Sequence, residues 1–334
     1  MNLSSANKPE VSVVVGAHNE QSALQASLMS VLQQEGVNLE LIVVDDGSTD
    51  GTADLLQALS QKDARLRVFS QEHQGLTIAL IKGCQEARGQ YIARHDIRDH
   101  SLANRLHKQV ELIKRNSDTV LVTSGYKYVG PHGEFLGDTL PKHAAQDWQR
   151  ILKSGDESTL HGPHHGTVMF RKDAYEIVGG YRSEFYFAQD LDLWTRMASV
   201  GKLESVPEVL YQASLSYDSI SAQFGKQQRQ LCGLIATATR CREQGSSEDD
   251  LLYQASLVRG PEFKNHTDTS DFVDADYFIG SCLVSLRDPV ARRYLGRVLR
   301  RRPFYAKAWV KLLWSYSNGI PFSRQYNSSS DRQA

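Results

Sequence analysis

The segment YIARHDIRDHSLANRL (91–106) turns from an apolar start into a charged cluster of Arg94, His95, Asp96, Arg98 and Asp99. Two acids three positions apart suit a metal or phosphate site. Arg98 stands between them, where it would repel a cation, while its guanidinium fork matches phosphate oxygens. Asp45 and Asp46 open the stretch DDGSTDGT. A carboxylate at a strand end can accept hydrogen bonds from ribose hydroxyls or a base N–H. Turn and helix-cap chemistry accounts for the same residues, and Gly16 reads either as a close approach to a ligand or as a plain turn. Asp190 and Asp192 begin an apparent helix, QDLDLWTRM. Two positions apart, they cannot share a face, so at most one looks into a site and the other caps or pairs. His161, His164 and His165 crowd one loop, but their spacing matches no zinc pattern.

The elements that must position these residues alternate. VSVVV (11–15), LELIVV (39–44), LRVF (66–69), YIARH (91–95) and TVLVTS (119–124) read as strands. Leucine-rich segments of helical spacing lie between them. Such alternation predicts βαβ units and a mainly parallel sheet, with ligands outside the carboxyl ends of its strands. GAHNE, DDGS and RHDIRD each follow a predicted strand, so they should meet in one crevice.

The chain has 334 residues, a net charge of −1, 40% hydrophobic and 23% charged residues, which is the profile of a soluble globular protein without nucleic-acid affinity. Cys84, Cys232, Cys241 and Cys282 form no CxxC pair and read as reduced thiols of a cytosolic protein. MNLSSANKPE has no apolar core of a signal peptide. After Tyr217 the pattern becomes helical. In DPVARRYLGRVLRRR (288–302), Asp288 is placed as the N-cap and Pro289 at the first helical position. Val290, Tyr294, Leu295, Val298 and Leu299 form one stripe. The tail SRQYNSSSDRQA is expected to be disordered.

Four motifs in order carry a resemblance. VSVVVGAHNE, LELIVVDDGSTDGT, GQYIARHDIRDHSLANRL and HGTVMFRKDAYEIVGGYRSEFYFAQDLDLWTRM together resemble family 2 glycosyltransferases of the GT-A fold. The resemblance implies an α/β GT-A domain with a mixed, mainly parallel sheet over residues 8–222. A helical C-terminal region would follow over 223–320, and a disordered tail over 321–334. It implies an inverting, hexosyltransferase-like transfer from a nucleotide diphosphosugar, a UDP-sugar being favoured, to a saccharide or lipid-linked acceptor in surface polysaccharide or glycoconjugate synthesis. Ala17, His18 and Glu20 would line the nucleotide pocket, and Asp46 would face the base or ribose. Asp96 and Arg98 would lie at the nucleotide, His165 and Gly166 on the acceptor side, and Asp190 would be the general base.

Two departures from the family pattern matter. Gly16 and His18 stand where Pro and Tyr are usual, and His18 can still stack on a base. Arg98 occupies the place of the second acid of the DxD metal motif. Three outcomes follow: Arg98 binds the diphosphate itself; or Asp96 and Asp99 keep Mn²⁺ or Mg²⁺ in altered geometry; or the chain is a non-catalytic nucleotide-sugar-binding or scaffold protein. The segment 290–311 carries Arg292, Arg293, Arg297, Arg300, Arg301, Arg302, Lys307 and Lys311 near Phe304, Trp309 and Trp314. That pattern suits either a helix lying on an anionic membrane surface or a solvated face. The chain is therefore expected in the cytoplasm, free or peripheral on the cytoplasmic face of the membrane.

Overall fold

A computed structural model of the chain describes residues 8–141, 145–217, 224–258 and 272–317. The chain divides into two compact units. The first comprises residues 8–127, 138–214 and 224–258, and the second 128–137, 215–217 and 272–317.

The first unit opens with three strand–helix repeats. These are β1 (Val11–Ala17), α1 (Leu24–Leu32), β2 (Leu39–Asp46), α2 (Thr52–Ser60), β3 (Leu66–Gln71) and α3 (Leu76–Glu86). The β-branched run of β1 and all eight residues of β2 are almost wholly shielded from solvent, as expected of strands covered on both faces. At Gly16 a Cβ would come within 2.7 Å of Leu76 Cδ1 of helix α3, so the helix side chain lies close on the strand. The loop after β2 starts α2 as a capped turn, with Thr52 N–H donating to Asp50 Oδ1 at 2.9 Å.

Next come β4 (Tyr91–Arg94), β5 (His100–Ser101), α4 (Arg105–Arg115), β6 (Thr119–Val129), β7 (Phe135–Thr139) and α5 (Ala145–Lys153). A single 3₁₀ turn, His165–Thr167, leads into β8 (Met169–Arg171), α6 (Lys172–Ile177), α7 (Gln189–Val200) and β9 (Lys202–Ser214). The sheet order is β3-β2-β1-β4-β8-β6-β9-β5, with β7 beside β6. The β3-β2-β1-β4 half is parallel, and β4-β8, β6-β8 and β5-β9 are antiparallel. The mixed sheet expected of the fold is thus parallel where β1, β2 and β4 deliver the loops ending in His18, Asp46 and Asp96.

Two further helices, α8 (Gly225–Glu243) and α9 (Asp249–Ser256), group with this first unit, although the sequence reading cuts the chain at 222. Arg242 of α8 reaches Thr195 at 2.8 Å, and Glu248 takes Arg182 at 2.6 Å, contacts that composition alone does not reveal.

The second unit holds α10 (Val273–Ser285), α11 (Ala291–Arg301) and α12 (Ala306–Ser317). Its core contains Ile279, Leu283, Tyr294, Leu295 and Val298, the last three from the predicted stripe. Helix α11 begins two residues beyond the expected start. Asp288 Oδ1 accepts the Val290 N–H at 2.9 Å, forming the turn that leads in. Asp276 is buried and receives Arg297 at 2.8 Å and Arg301 at 3.3 Å. The expected disordered tail, 321–334, lies outside the described residues. Among those described, no helix is long and apolar enough to cross a membrane, and all four cysteines are free thiols.

Candidate active site

The charged cluster after β4 is organised by two buried arginines. Arg94 donates from Nη1 to Tyr181 OH at 3.1 Å and from Nη2 to Asp96 Oδ1 at 2.8 Å. Arg105 donates to Ser101 Oγ and to the Arg94 carbonyl, each at 2.8 Å, and its guanidinium faces the Tyr211 ring at 4.8 Å. Both side chains are fully buried, which is tolerable because each head group has polar partners.

Asp96 also receives His165 Nε2 on Oδ2 at 2.6 Å, and Nδ1 of the same ring lies 3.4 Å from Asp190 Oδ2. One imidazole therefore joins the acid after β4 to the acid that starts α7. Burial disfavours its charge, but Asp96 and then Asp190 overcome this and push the His165 pKa up to about 10. Burial likewise works against Asp96, yet His165 and Arg94 hold its carboxyl well below the usual range. For Asp190, burial is outweighed by the His165 hydrogen bond and charge, the Leu191 N–H and Arg94, so its pKa is lowered. His164 stacks on His165 with ring centroids 4.4 Å apart and accepts the Gly166 N–H. Burial and the neighbouring charge push its pKa down to about 3.

Asp99 points elsewhere. Tyr211 OH donates to its Oδ2 at 2.9 Å and Ser214 N–H to its Oδ1 at 2.7 Å. Burial and then the charge of Asp96 raise its pKa to about 7. Asp96 and Asp99 thus spend their oxygens on different partners. Tyr211 OH ties the two together by accepting the Asp96 N–H at 3.3 Å. Gly166 sits against this phenol so closely that a Cβ would collide with it. Arg98 adopts φ +78 and donates from Nε to Glu20 Oε2 at 2.7 Å, joining the loop after β4 to the loop after β1.

At the end of β2, Asp46 is buried and heavily bonded. Oδ1 accepts Gln71 Nε2 at 2.7 Å and Gln74 N–H at 2.9 Å, and Oδ2 accepts Gly75 N–H at 2.8 Å and His73 Nδ1 at 2.9 Å. His18 donates from Nδ1 to the Asp46 carbonyl at 2.8 Å and stacks on His73, with centroids 4.1 Å apart. Ligand atoms of His18, Asp46 and His73 lie within 4.8 Å of one another, the one such group among the described residues that could hold a metal ion. Ala17 ends β1 in the apolar core. Asp192 is a structural pair, fully buried with Arg196 at 2.6 Å, while Asp190 stays partly exposed.

Sequence reasoning singles out Asp46, Asp96, Arg98, Asp99, His165 and Asp190 but misses Tyr211, Tyr181 and His73. Tyr211 lies on β9 with no local signature, and only its long-range bonds to Asp96 and Asp99 reveal it. Tyr181 lies in the quoted GGYR turn, and His73 follows β3 as the aligned loops follow β1 and β2.

Known proteins share this architecture. The mannosyltransferase PcManGT from Pyrobaculum calidifontis, solved with GDP-Man and Mn²⁺, superposes with a TM-score of 0.54 at 17% identity, over 93% of this chain and 87% of that one. S. aureus TarS 1-349, solved with UDP-GlcNAc, gives 0.54 at 16% identity, over 92% and 89%. At those identities the likeness establishes the fold, that of GT-A glycosyltransferases. In sequence, a Bacillus subtilis protein named as a glycosyltransferase, EpsE, is 31% identical over 219 residues, 63% of this chain and 75% of the relative. An uncharacterized glycosyltransferase of Haemophilus influenzae is 29% identical over 231 residues, 67% and 71% of the two chains. The family model described as glycosyl transferase family 2 matches residues 12–179, half of the chain. The match spans the strand ends that carry His18, Asp46, Asp96 and His165, and the chain is a glycosyltransferase that belongs to family 2.

Proposed function

We propose that the chain transfers a sugar from a nucleotide diphosphosugar, a UDP-sugar being favoured, to a saccharide or lipid-linked acceptor with inversion, in the synthesis of a surface polysaccharide or glycoconjugate. The observation that carries this reading is the link Asp96–His165–Asp190. A base for the acceptor and an acid next to the donor site share one side chain. In the proposed step the acceptor hydroxyl oxygen attacks the anomeric carbon and its proton passes to Asp190. The bond to the diphosphate breaks, and its electron pair leaves on the phosphate oxygen. The lowered pKa of Asp190 keeps it ionised and ready to accept. His165 acts as a positioning residue, fixing the Asp190 carboxylate relative to Asp96, and with Gly166 it borders the acceptor.

The donor class is supported by the UDP-GlcNAc bound to TarS and the GDP-Man bound to PcManGT. The polysaccharide reading is supported by a relative named for teichuronic acid biosynthesis, TuaG of B. subtilis, 35% identical over 148 residues, and by the chondroitin synthase of Pasteurella multocida, 24% identical over 213. Ala17, His18 and Glu20 are assigned to the nucleotide pocket, Asp46 to the base or ribose, Asp96 to the nucleotide, and Arg98 to the diphosphate. Arg98 would supply a fixed positive charge where the leaving group becomes negative. A divalent cation fits the loop after β4 poorly, because Asp96 is engaged by Arg94 and His165, and Asp99 by Tyr211 and Ser214. No step here is routed through one. We assign the reaction to the cytoplasm, and a lipid-linked acceptor would bring the chain to a bilayer surface.

Asp190→Asn tests the reading. Turnover should fall by about 10²-fold or more while donor affinity, measured by calorimetry, stays within about twofold. Near wild-type turnover would remove Asp190 from the role. Asp192→Asn is the control: its partner Arg196 is buried, so stability should suffer more than turnover.

A further inference from the structure

Charge is unevenly placed along the chain. The net charge is −1, yet residues 287–317 contain nine Arg or Lys and a single acid, Asp288. Some of these cations are used internally: Arg297 and Arg301 pair with Asp276, and Arg292 donates to the Ser315 carbonyl at 2.8 Å. Arg293, Arg300, Arg302 and Lys307 are exposed.

Helix α12 also turns its large apolar residues outward. Trp309 is 47% exposed, Val310 65%, Leu313 64% and Trp314 48%, whereas Ala308 and Ser315 are buried. At about 100° per residue the four exposed positions fall within an arc of roughly 140°, with Ala308 and Ser315 on the other side. Lys307 and Lys311 follow at the Trp314 edge of that arc, and Lys311 Nζ stands 5.5 Å from the Trp314 ring. Phe304, just before the helix, is 98% exposed. An ordinary surface helix buries its apolar stripe, so this one needs a partner.

We propose that this face of α12, with Phe304, docks on an anionic bilayer surface. Tryptophan and phenylalanine enter the headgroup boundary, and Arg300, Arg302 and Lys307 meet lipid phosphates. The chemistry selects this occupant. A second copy of the same face would set like charges against each other, and a neutral apolar partner would leave the cations unanswered. Anionic lipid satisfies both halves of the pattern. The inference goes beyond the transfer reaction, and its test uses none of the reaction's substrates.

The full chain is sedimented with vesicles of phosphatidylcholine alone or of equal parts phosphatidylcholine and phosphatidylglycerol. Binding should be at least about tenfold tighter to the anionic vesicles and should weaken with added salt. Neutralising three cations together, Arg300→Gln, Arg302→Gln and Lys307→Gln, should weaken it about 100-fold. Trp309→Ala with Trp314→Ala should cost about tenfold or more with little change in Tm, because both rings are half-exposed. Equal binding to the two vesicles, or binding to neither, overturns the proposal. So does a solution dimer that the tryptophan pair dissociates, since the face would then be a contact between copies.

Discussion

Two carboxylate centres lie at the carboxyl ends of β2 and β4, the parallel strands on either side of β1, and are built in opposite ways. Asp46 is held by Gln71, His73 and two main-chain N–H groups of the turn after β3. Asp96 is held by charged side chains from separate segments, Arg94 on its own strand and His165 on the 3₁₀ turn, with Asp190 of α7 beyond. The main-chain half of the first arrangement cannot change without moving backbone. The second can be rearranged by rotating side chains. A rigid centre suits recognition of an unchanging nucleoside, whereas a charged, adjustable one suits a reaction in which charge moves.

The contrast can be broken at several points. The largest effect is expected at the charged centre. Asp96→Asn leaves the buried Arg94 guanidinium without its carboxylate, and denaturant unfolding should show a loss of about 3–5 kcal/mol. A loss under about 1 kcal/mol would mean that Arg94 draws little from the pair. At the rigid centre, Asp46→Ala strands the Gln74 and Gly75 N–H groups. It should cost about 2–3 kcal/mol, with donor affinity reduced in proportion to the disorder of that turn. Full stability in this variant would show that the turn keeps its shape unaided.

A smaller effect is expected where Arg98 meets Glu20. Arg98→Ala should weaken donor binding about tenfold, and calorimetry on the native protein should give the same affinity with and without EDTA. Abolition by EDTA would show that donor binding needs a metal, at Asp96 and Asp99 or at His18, Asp46 and His73, and would end this account of Arg98. The mildest test is of pH. The His165 pKa is raised in the folded chain, to about 10 from an ordinary value of 6.5, so its contribution to stability is complete below 6.5 and is lost as pH rises toward 10. The ring is 38% exposed, so solvent screens the effect and the slope should be shallow. His165→Gln should flatten the alkaline decline of Tm, and an unchanged decline would take His165 out of it.

Much of the parallel half is legible because β1 and β2 are local, buried runs rich in β-branched residues, β3 and β4 are short apolar segments, and the loops after β1, β2 and β4 are polar. The antiparallel half was not, since β8 has only three residues and pairs with strands far away in sequence. Motif resemblance pointed to Asp190 and His165, but no local pattern announces that His165 touches both acids. Arg98 and Glu20 were each assigned to the donor, yet their pairing joins positions 78 residues apart, which spacing cannot predict. Gly16 reads as a ligand approach or a turn, and the Leu76 side chain packed against it comes from a helix 60 residues on, which local pattern does not show.

Tyr211 and Gly166 carry a consequence for heredity. The phenol bonds to both acids of the loop after β4, and the glycine leaves it just enough room. Neither position can drift alone: a side chain at 166 demands a smaller ring at 211, and a smaller ring abandons Asp99. Across descendants of this gene the two should behave as a single inherited character, although 44 other residues separate them in the chain.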